Sequence, residues 1–134
     1  AGARGASFEQ GRVFVFRYDT VSSQYTQYDI IDDAGEAGDQ AGYSVALSGD
    51  GSMLLAGSPY SDNGNDDSGK LARYSFNGSD YIKDFEYNYS DATYKKHLGV
   101  SAAIDSSGNI CIGGAIKDIY NHDECGTSYI FRAH

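Results

Sequence analysis

The sequence predicts an all-β fold made of repeated four-stranded units, because turn-forming glycines, aromatic residues and an internal repeat occur together. The chain has 134 residues, with 17 Gly, 12 Tyr and 6 Phe but a single Pro. Aromatic residues favour strands, and frequent glycines provide the tight turns that short strands need. The length fits one ordinary domain, and a hydrophobic fraction of 40% is sufficient for a packed core.

The strongest signal is an internal repeat with a period of 57 residues. Segment 42–59 reads GYSVALSGDGSMLLAGSP, and segment 99–116 reads GVSAAIDSSGNICIGGAI. They align without insertion through the pairs Gly42 and Gly99, Ser44 and Ser101, Ala46 and Ala103, Leu47 and Ile104, Gly51 and Gly108, Met53 and Ile110, Leu55 and Ile112, and Gly57 and Gly114. A third, partial copy starts near residue 2, and such a fixed period indicates a repeat architecture.

Each repeat is interpreted as an antiparallel meander of four short strands. In the complete copy, the strands are expected at Ser44–Ser48, at Met53–Ala56, from just after Gly69 to about Phe76, and at about Tyr81–Tyr87. The second strand is apolar on both faces, which predicts that both faces are covered. Stacked meanders of this kind predict the blades of a β-propeller, whereas a sandwich would show polar outer faces on most strands.

The repeat divides the chain into a partial blade at 1–41, a full blade at 42–98 and a second partial blade at 99–134. The chain opens on AGARGAS, within the motif, and by this division it carries incomplete blades at both ends. Incomplete blades leave apolar faces and unpaired strand edges. We therefore expect either a piece of a longer protein, or copies that associate to complete a ring or an array.

The order of these motifs resembles the FG-GAP repeat, the blade unit of integrin α-subunit propellers and many secreted proteins. The resemblance rests on A-G-Y-S-V-A, L-A-G-S-P and G-K-L-A-R-Y, and it covers essentially the whole chain as about two and a half repeats. The Phe-Gly motif is represented by Ala41-Gly42 and Leu98-Gly99, and the Gly-Ala-Pro motif by Gly57-Ser58-Pro59, Gly114-Ala115-Ile116 and Gly2-Ala3-Arg4. The resemblance implies an extracellular or secreted module for adhesion, or for recognition of protein or glycan through loops at one end of the blades.

Some members of this family hold calcium between the first two strands, in a loop of the form Asp-x-Asp-x-Asp-Gly. The corresponding segments here are Ser48–Ser52 and Asp105–Asn109, which lack the several carboxylates that calcium needs. The oxygen-rich stretch Asp62–Asp67 is a second candidate, but the matching loop at 119–124 keeps little of it, and Asp, Asn and Gly also make turns. We therefore expect no cofactor and no dedicated metal site.

Three loops are expected to form the binding surface: Ser58–Ser68, Ala115–Cys125 and the acidic linker Ile31–Gln40. The side chains expected to contact a partner are Asp62, Asn65, Asp66, Asp67, Tyr120 and His122. The partner is expected to be a protein, a glycan or further blades of the same assembly. A net charge of −9 argues against nucleic acid and anionic membranes, and no apolar run is long enough to span a membrane.

No catalytic motif accompanies the repeat, whether Gly-x-Ser-x-Gly, His-Glu-x-x-His or a phosphate-binding loop. The histidines at 97, 122 and 134 are far apart in sequence, and we expect them on the surface. Neighbouring acids such as Asp32-Asp33 and Asp66-Asp67 point in opposite directions on an extended chain, so neither doublet makes the carboxylate pair of a glycosidase. We expect a non-enzymatic module. The alternative is a propeller domain of a secreted hydrolase whose catalytic residues lie outside this segment.

The two cysteines, Cys111 and Cys125, leave a disulfide open as one alternative. If Ala115 pairs near Gly126, then Cys111 lies opposite about Ile130, and Cys125 lies about 13 Å further along the sheet. A disulfide needs Cα atoms within about 7 Å, so it would require a looser loop or another register. The other alternative is that Cys111, which matches a core leucine of the preceding repeat, is a buried thiol.

Two N-glycosylation sequons are present, Asn77-Gly78-Ser79 and Asn88-Tyr89-Ser90. Both fall at a turn or a strand end of the predicted meander, where the asparagine side chain is expected to be exposed. They predict glycosylation if the protein passes through a eukaryotic secretory pathway.

Overall fold

The computed structural model describes residues 1–5, 10–32, 37–62, 67–88, 96–117, 119–120 and 123–132. All regular structure in these residues is β, which confirms the predicted all-β class. The strands are β1 (Gly2–Ala3), β2 (Arg12–Asp19), β3 (Gln24–Ile31), β4 (Ser44–Leu47), β5 (Met53–Ser58), β6 (Lys70–Phe76), β7 (Tyr81–Asn88), β8 (Leu98–Ile104), β9 (Ile110–Ala115), β10 (Ile119–Tyr120), β11 (Asp123–Glu124) and β12 (Thr127–Arg132). The described part of the chain has no helix that could cross a membrane.

The strands form three consecutive antiparallel sheets, arranged as the blades of a β-propeller are. Sheet I has the order β1-β2-β3, sheet II the order β4-β5-β6-β7, and sheet III the order β12-β9-β8. Sheet II is a complete four-stranded meander. A small hairpin, β10-β11, lies in the connection between β9 and β12.

The 57-residue period of the sequence recurs in the strand boundaries. Both ends of β5 and β9 are 57 residues apart, and so are both ends of β3 and β7. Sheets I and II also share an irregularity at a nearly equivalent place, with a shift of register after Val15 in β2 and, 58 residues later, after Arg73 in β6. The repeat therefore reflects a common hydrogen-bonding register.

The second strand of the full blade is longer than expected. It was predicted to end at Ala56, but β5 runs through Gly57 and Ser58, which pair with Leu71 and Lys70 of β6. These two residues belong to the Gly-Ser-Pro motif. The motif is therefore the paired end of a strand, and the loop begins at Pro59.

The core lies between the sheets, in two apolar layers. Sheets I and II enclose Val13, Ile31, Leu54, Ala56, Ala72 and Tyr74. Sheets II and III enclose Leu55, Leu71, Leu98, Cys111 and Ala115. Successive residues of a strand point to opposite faces, so Leu54 enters the first layer and Leu55 the second, with exposures of 5% and 1%. The prediction that both faces of this strand are covered is confirmed.

Neighbouring sheets touch through backbone atoms at paired glycines. A Cβ added to Gly57 would collide with the carbonyl oxygen of Gly99, and one added to Gly2 would collide with that of Gly42. Both Gly42 and Gly99 have positive φ, 79° and 100°, a conformation that other residues rarely adopt. Each close contact between sheets therefore uses one glycine from the Gly-Ala-Pro motif and one from the Phe-Gly motif.

Hydrogen bonds complete this contact, which we call the blade joint. The N–H of Leu98 donates to the carbonyl of Ser68 at 3.0 Å, beside a parallel bridge between Gly69 and Leu98. The hydroxyl of Ser44 donates to the carbonyl of Gly99 at 2.7 Å. Sheets I and II carry the matching parallel bridge, between residues 11 and 41. In each blade joint, an apolar residue followed by glycine, here called the apolar-Gly pair, packs against the preceding sheet: Ala41-Gly42 on sheet I and Leu98-Gly99 on sheet II.

Replacing Gly57 by alanine is expected to lower the free energy of unfolding by about 1–3 kcal/mol, as overpacking does. The obstructing atom is a backbone carbonyl, which cannot rotate away. The matched control is Gly5→Ala, where the added Cβ has no atom within 4 Å. Urea denaturation of the two variants checks this, and equal stabilities would contradict the role assigned to the glycine contact.

Candidate functional site

The three loops predicted to bind a partner lie at one end of the sheets, which we call the loop end. In a four-stranded meander the connections after the second and fourth strands share an end. Contacts join them: the hydroxyl of Ser61 donates to the carboxylate of Asp39 at 3.2 Å, which links loop 58–68 to linker 31–40. The N–H of Lys117 donates to the carbonyl of Lys96 at 3.1 Å, which links loop 115–125 to the segment before β8.

Charged side chains are buried at the base of the loop end. The ammonium of Lys70 lies 4.0 Å from the carboxylate of Asp39, and both side chains are 6% exposed. This pair connects the start of β6 to the linker that follows sheet I. Removing one partner of a buried ion pair leaves the other charge uncompensated, so the pair holds the linker in place.

One sequence-based expectation is wrong here, because His97 is buried and not on the surface. It is 5% exposed, its ring lies 4.9 Å from the ring of Tyr60, and its Nε2 is 4.0 Å from the carboxylate of Asp67. Two elements distant in sequence, the loop 58–68 and the residues before β8, meet at this histidine. His122 and His134 lie outside the described residues.

The residues expected to contact a partner are only partly brought together. Asp62 accepts a hydrogen bond from the N–H of Asp67 at 2.8 Å, so its carboxylate closes its own loop. Tyr120 lies in the β10-β11 hairpin, where it pairs with Asp123, so loop 115–125 contains regular structure that the sequence did not predict. Asn65, Asp66 and His122 fall outside the described residues, and their contact with a partner stays a prediction.

At the opposite end of the sheets, the segment that matches the calcium loop is closed by its own carboxylate. Oδ1 of Asp50 accepts hydrogen bonds from the N–H of Ser52 at 2.9 Å and from the hydroxyls of Ser52 and Ser48, each at 2.8 Å. These donors lower the pKa of Asp50 to about 2. In sheet III, Asp105 accepts from the N–H of Ile110 at 2.8 Å, which likewise lowers its pKa. Both acids therefore have a structural role in a hairpin turn.

No cluster of three or more His, Cys, Asp or Glu side chains among the described residues is placed to hold a metal ion. The loop 62–67, which the sequence raised as a second cation candidate, is described only at its two ends. The absence of a cofactor stays a prediction.

The two cysteines are not joined in this structure, which corrects the disulfide alternative. Ala115 pairs with Thr127 and Cys111 pairs with Phe131, one residue further along β12 than the register assumed from sequence. Cys125 is then about 20 Å along the sheet from the residue opposite Cys111, well beyond disulfide reach. Cys111 is buried in the second core layer, and Cys125 is exposed.

Both sequon asparagines are exposed, as expected. Oδ1 of Asn77 accepts hydrogen bonds from the N–H groups of Ser79 and Asp80, each at 2.9 Å, and so fixes the turn between β6 and β7. Asn88 is the last residue of β7. Their glycosylation stays a prediction.

Acid is expected to destabilise the fold partly through Asp50. Its folded pKa of about 2 lies below its ordinary value of 3.8, so its contribution to stability is complete above 3.8 and is lost as the pH falls through about 2. In Asp50→Asn, the melting temperature should fall less between pH 4 and pH 2 than in the wild type. Thermal unfolding across this range checks it, with Asp80→Asn in another exposed turn as the control. Identical pH profiles for the wild type and Asp50→Asn would contradict the assignment.

The thiols are expected to differ sharply in reactivity. Cys125 is exposed, whereas burial raises the pKa of Cys111 and so lowers its thiolate fraction. Alkylation of the native protein followed by peptide mapping should label Cys125 long before Cys111. A native mass that is two hydrogens lower and is restored by reduction would instead reveal a disulfide.

Comparison with known families finds a match over part of the chain. Residues 26–71 match the family model of the FG-GAP repeat. The matched segment runs from β3 through β4 and β5 into β6, so it contains the apolar-Gly pair at 41–42 and the second-strand motif at 57–58. No curated protein matches significantly.

The sequence match, the internal repeat and the stacked sheets agree with one another. Residues 26–71 carry an FG-GAP repeat, and the described residues form antiparallel sheets like the blades of a β-propeller.

Proposed function

We propose that this chain is a non-enzymatic extracellular module for binding or structural assembly, and that it acts by stacking further blades on the open face of sheet III. One observation carries the proposal. Leu55 of sheet II is 1% exposed because sheet III covers it, whereas Ile112, its equivalent in sheet III, is 40% exposed. An apolar strand face that is covered in one blade is uncovered in the next.

The apolar character of this face extends across neighbouring strands. Ile130 is paired directly with Ile112, so both side chains leave the same side of the sheet, and it is 70% exposed. Ile116 is 56% exposed, whereas its equivalent in sheet II, Pro59, is fully buried. Contiguous exposed apolar side chains on a folded protein mark interaction surfaces. Burying one such side chain contributes about 1.5–3 kcal/mol.

The loop end is the second surface in this proposal, and there the partner is a protein or a glycan. The buried pair of Lys70 and Asp39 supports it by holding the bases of two loops together. The extracellular location is supported by the FG-GAP repeat and by the exposed sequon asparagines at 77 and 88.

Stacking through the open face is expected to appear as self-association of the isolated chain. Sedimentation velocity over a range of concentrations should show species larger than the monomer. The double variant Ile112→Asp/Ile130→Asp should weaken the association about tenfold or more, because each tenfold change corresponds to only about 1.4 kcal/mol.

The control is Val21→Asp, which makes the same kind of change at a turn residue that is 93% exposed and far from sheet III. It should associate as the wild type does. A wild-type chain that stays a folded monomer at every concentration, or association that survives the double variant, would rule out stacking of copies through this face.

A further inference from the structure

The turn between β6 and β7 presents the dipeptide Asn77-Gly78 at the surface. Both residues are exposed, and a Cβ added to Gly78 would have no atom within 4 Å. The side chain of asparagine ends in an uncharged amide, which the backbone nitrogen of the following residue can attack. Glycine obstructs that attack least, because it has no side chain and its backbone adopts many conformations.

The side-chain carbonyl of Asn77 is held by two backbone donors. Its Oδ1 accepts hydrogen bonds from the N–H groups of Ser79 and Asp80, each at 2.9 Å. The N–H of Asn77 donates to the carbonyl of Asp80 at 3.0 Å, which closes the turn. Two N–H groups directed at one carbonyl oxygen stabilise the negative charge that develops on it during nucleophilic attack, as an oxyanion hole does. The turn itself therefore activates the amide of Asn77.

The nitrogen that would attack is also available. Within the part of the chain that the structure describes, the N–H of Gly78 donates to no acceptor. Two other turn glycines differ, because the N–H of Gly51 donates to the carbonyl of Ser48 at 3.0 Å and that of Gly108 donates to the carbonyl of Asp105 at 3.1 Å. A nitrogen engaged in this way must first lose its hydrogen bond before it can attack a side chain.

We propose that Asn77 is a site of spontaneous deamidation in the folded protein. The backbone nitrogen of Gly78 forms a bond to Cγ of Asn77 and gives its proton to solvent, while the Cγ–Nδ2 bond breaks and Nδ2 takes up a proton and leaves as ammonia. Water then opens the resulting succinimide ring at one of its two carbonyls, which gives aspartate or isoaspartate. The sum is asparagine plus water giving the acid plus ammonia, with no oxidation or reduction. This inference goes beyond the proposed function and does not depend on it.

The turn that contains Asp50 and Gly51 provides a comparison within the same molecule. Asp50 also accepts a hydrogen bond from the N–H two residues ahead, that of Ser52, at 2.9 Å. Its side chain is a carboxylate, however, and the donors around it lower its pKa to about 2. At neutral pH this group is an anion, which repels a nucleophile, and the nitrogen of Gly51 is engaged with Ser48. We therefore expect no such reaction at Asp50.

Deamidation would change both the contacts and the chemistry of the turn. The hydroxyl of Tyr28 donates to the carbonyl of Ser79 at 2.9 Å, so this turn connects sheet II to sheet I. Isoaspartate lengthens the main chain by one atom and makes the former side-chain carbonyl part of it, so the acceptor that fixes the turn is displaced. Either product also removes the sequon, because a glycan is attached to an asparagine.

The rates of deamidation in the folded and the unfolded chain test the proposal. The full chain, produced without glycan, is incubated at mildly alkaline pH with and without urea, and peptide mapping by mass spectrometry follows the conversion of Asn77 and the appearance of isoaspartate. Because the turn positions the amide and activates it, Asn77 should react at least as fast in the folded chain as in urea, where only the sequence acts. In the folded chain, Asp50 should stay unchanged.

The variants Ser79→Pro and Ser79→Ala form a matched pair. Proline has no N–H and so removes one of the two donors to Oδ1 of Asn77, whereas alanine keeps this donor and loses only the hydroxyl. Ser79 does not have a positive φ, which proline could not adopt. The ratio of the folded to the unfolded rate should fall about tenfold or more in Ser79→Pro, because one oxyanion donor is lost. It should keep the wild-type value in Ser79→Ala.

A folded wild-type chain in which Asn77 reacts more slowly than in urea overturns the proposal, since the turn then protects the amide. Equal ratios in the two Ser79 variants also overturn it. Reaction that is at least as fast in the folded chain and that depends on the N–H of residue 79 supports it. If Ser79→Pro does not fold, the comparison of folded and unfolded wild-type chain decides alone.

Discussion

The contact on which the rest of the structure depends is the one between backbone atoms of neighbouring sheets, at Gly2 with Gly42 and at Gly57 with Gly99. It sets the separation of the sheets at one end of the strands more closely than side-chain packing could. Aliphatic residues such as Leu54, Leu55 and Ala56 fill the layers together with aromatic rings such as that of Tyr74. At the points of closest backbone approach glycine is required, because any other residue would place a Cβ against a carbonyl oxygen.

Much of this arrangement could be predicted from sequence because it is periodic. The spacing between Gly42 and Gly99 was enough to place β5 and β9 in the same register, and the apolar run in β5 was enough to predict burial on both faces. The predictions that were wrong concern features that do not repeat along the sequence. His97 is buried by Tyr60, which comes from a loop 37 residues earlier and has no signal in the local sequence. The pairing of β9 with β12 was off by one residue, because Gly126 has a positive φ of 67° and stands before the ladder.

The two ends of the sheets use their charged residues differently, which the sequence alone did not reveal. At the end of the sheets opposite the loop end, Asp19, Asp50 and Asp105 accept hydrogen bonds from their own turns, and each has a lowered pKa for that reason. At the loop end, Asp39 is buried with Lys70 and links separate segments. An acidic composition can thus coexist with stacked sheets, because many carboxylates are satisfied locally.

The blade joint also explains how one fold accepts strands of varied sequence and still excludes most sequences. The groups that receive the incoming chain are mostly backbone atoms, and the position before the glycine holds Ala41 in one joint and Leu98 in the other. The position before the glycine therefore tolerates different side chains. The glycine position tolerates none, since the carbonyls of Arg12 and Lys70 stand where a side chain would be. Selectivity in such a joint comes from a single backbone conformation, the positive φ of its glycine.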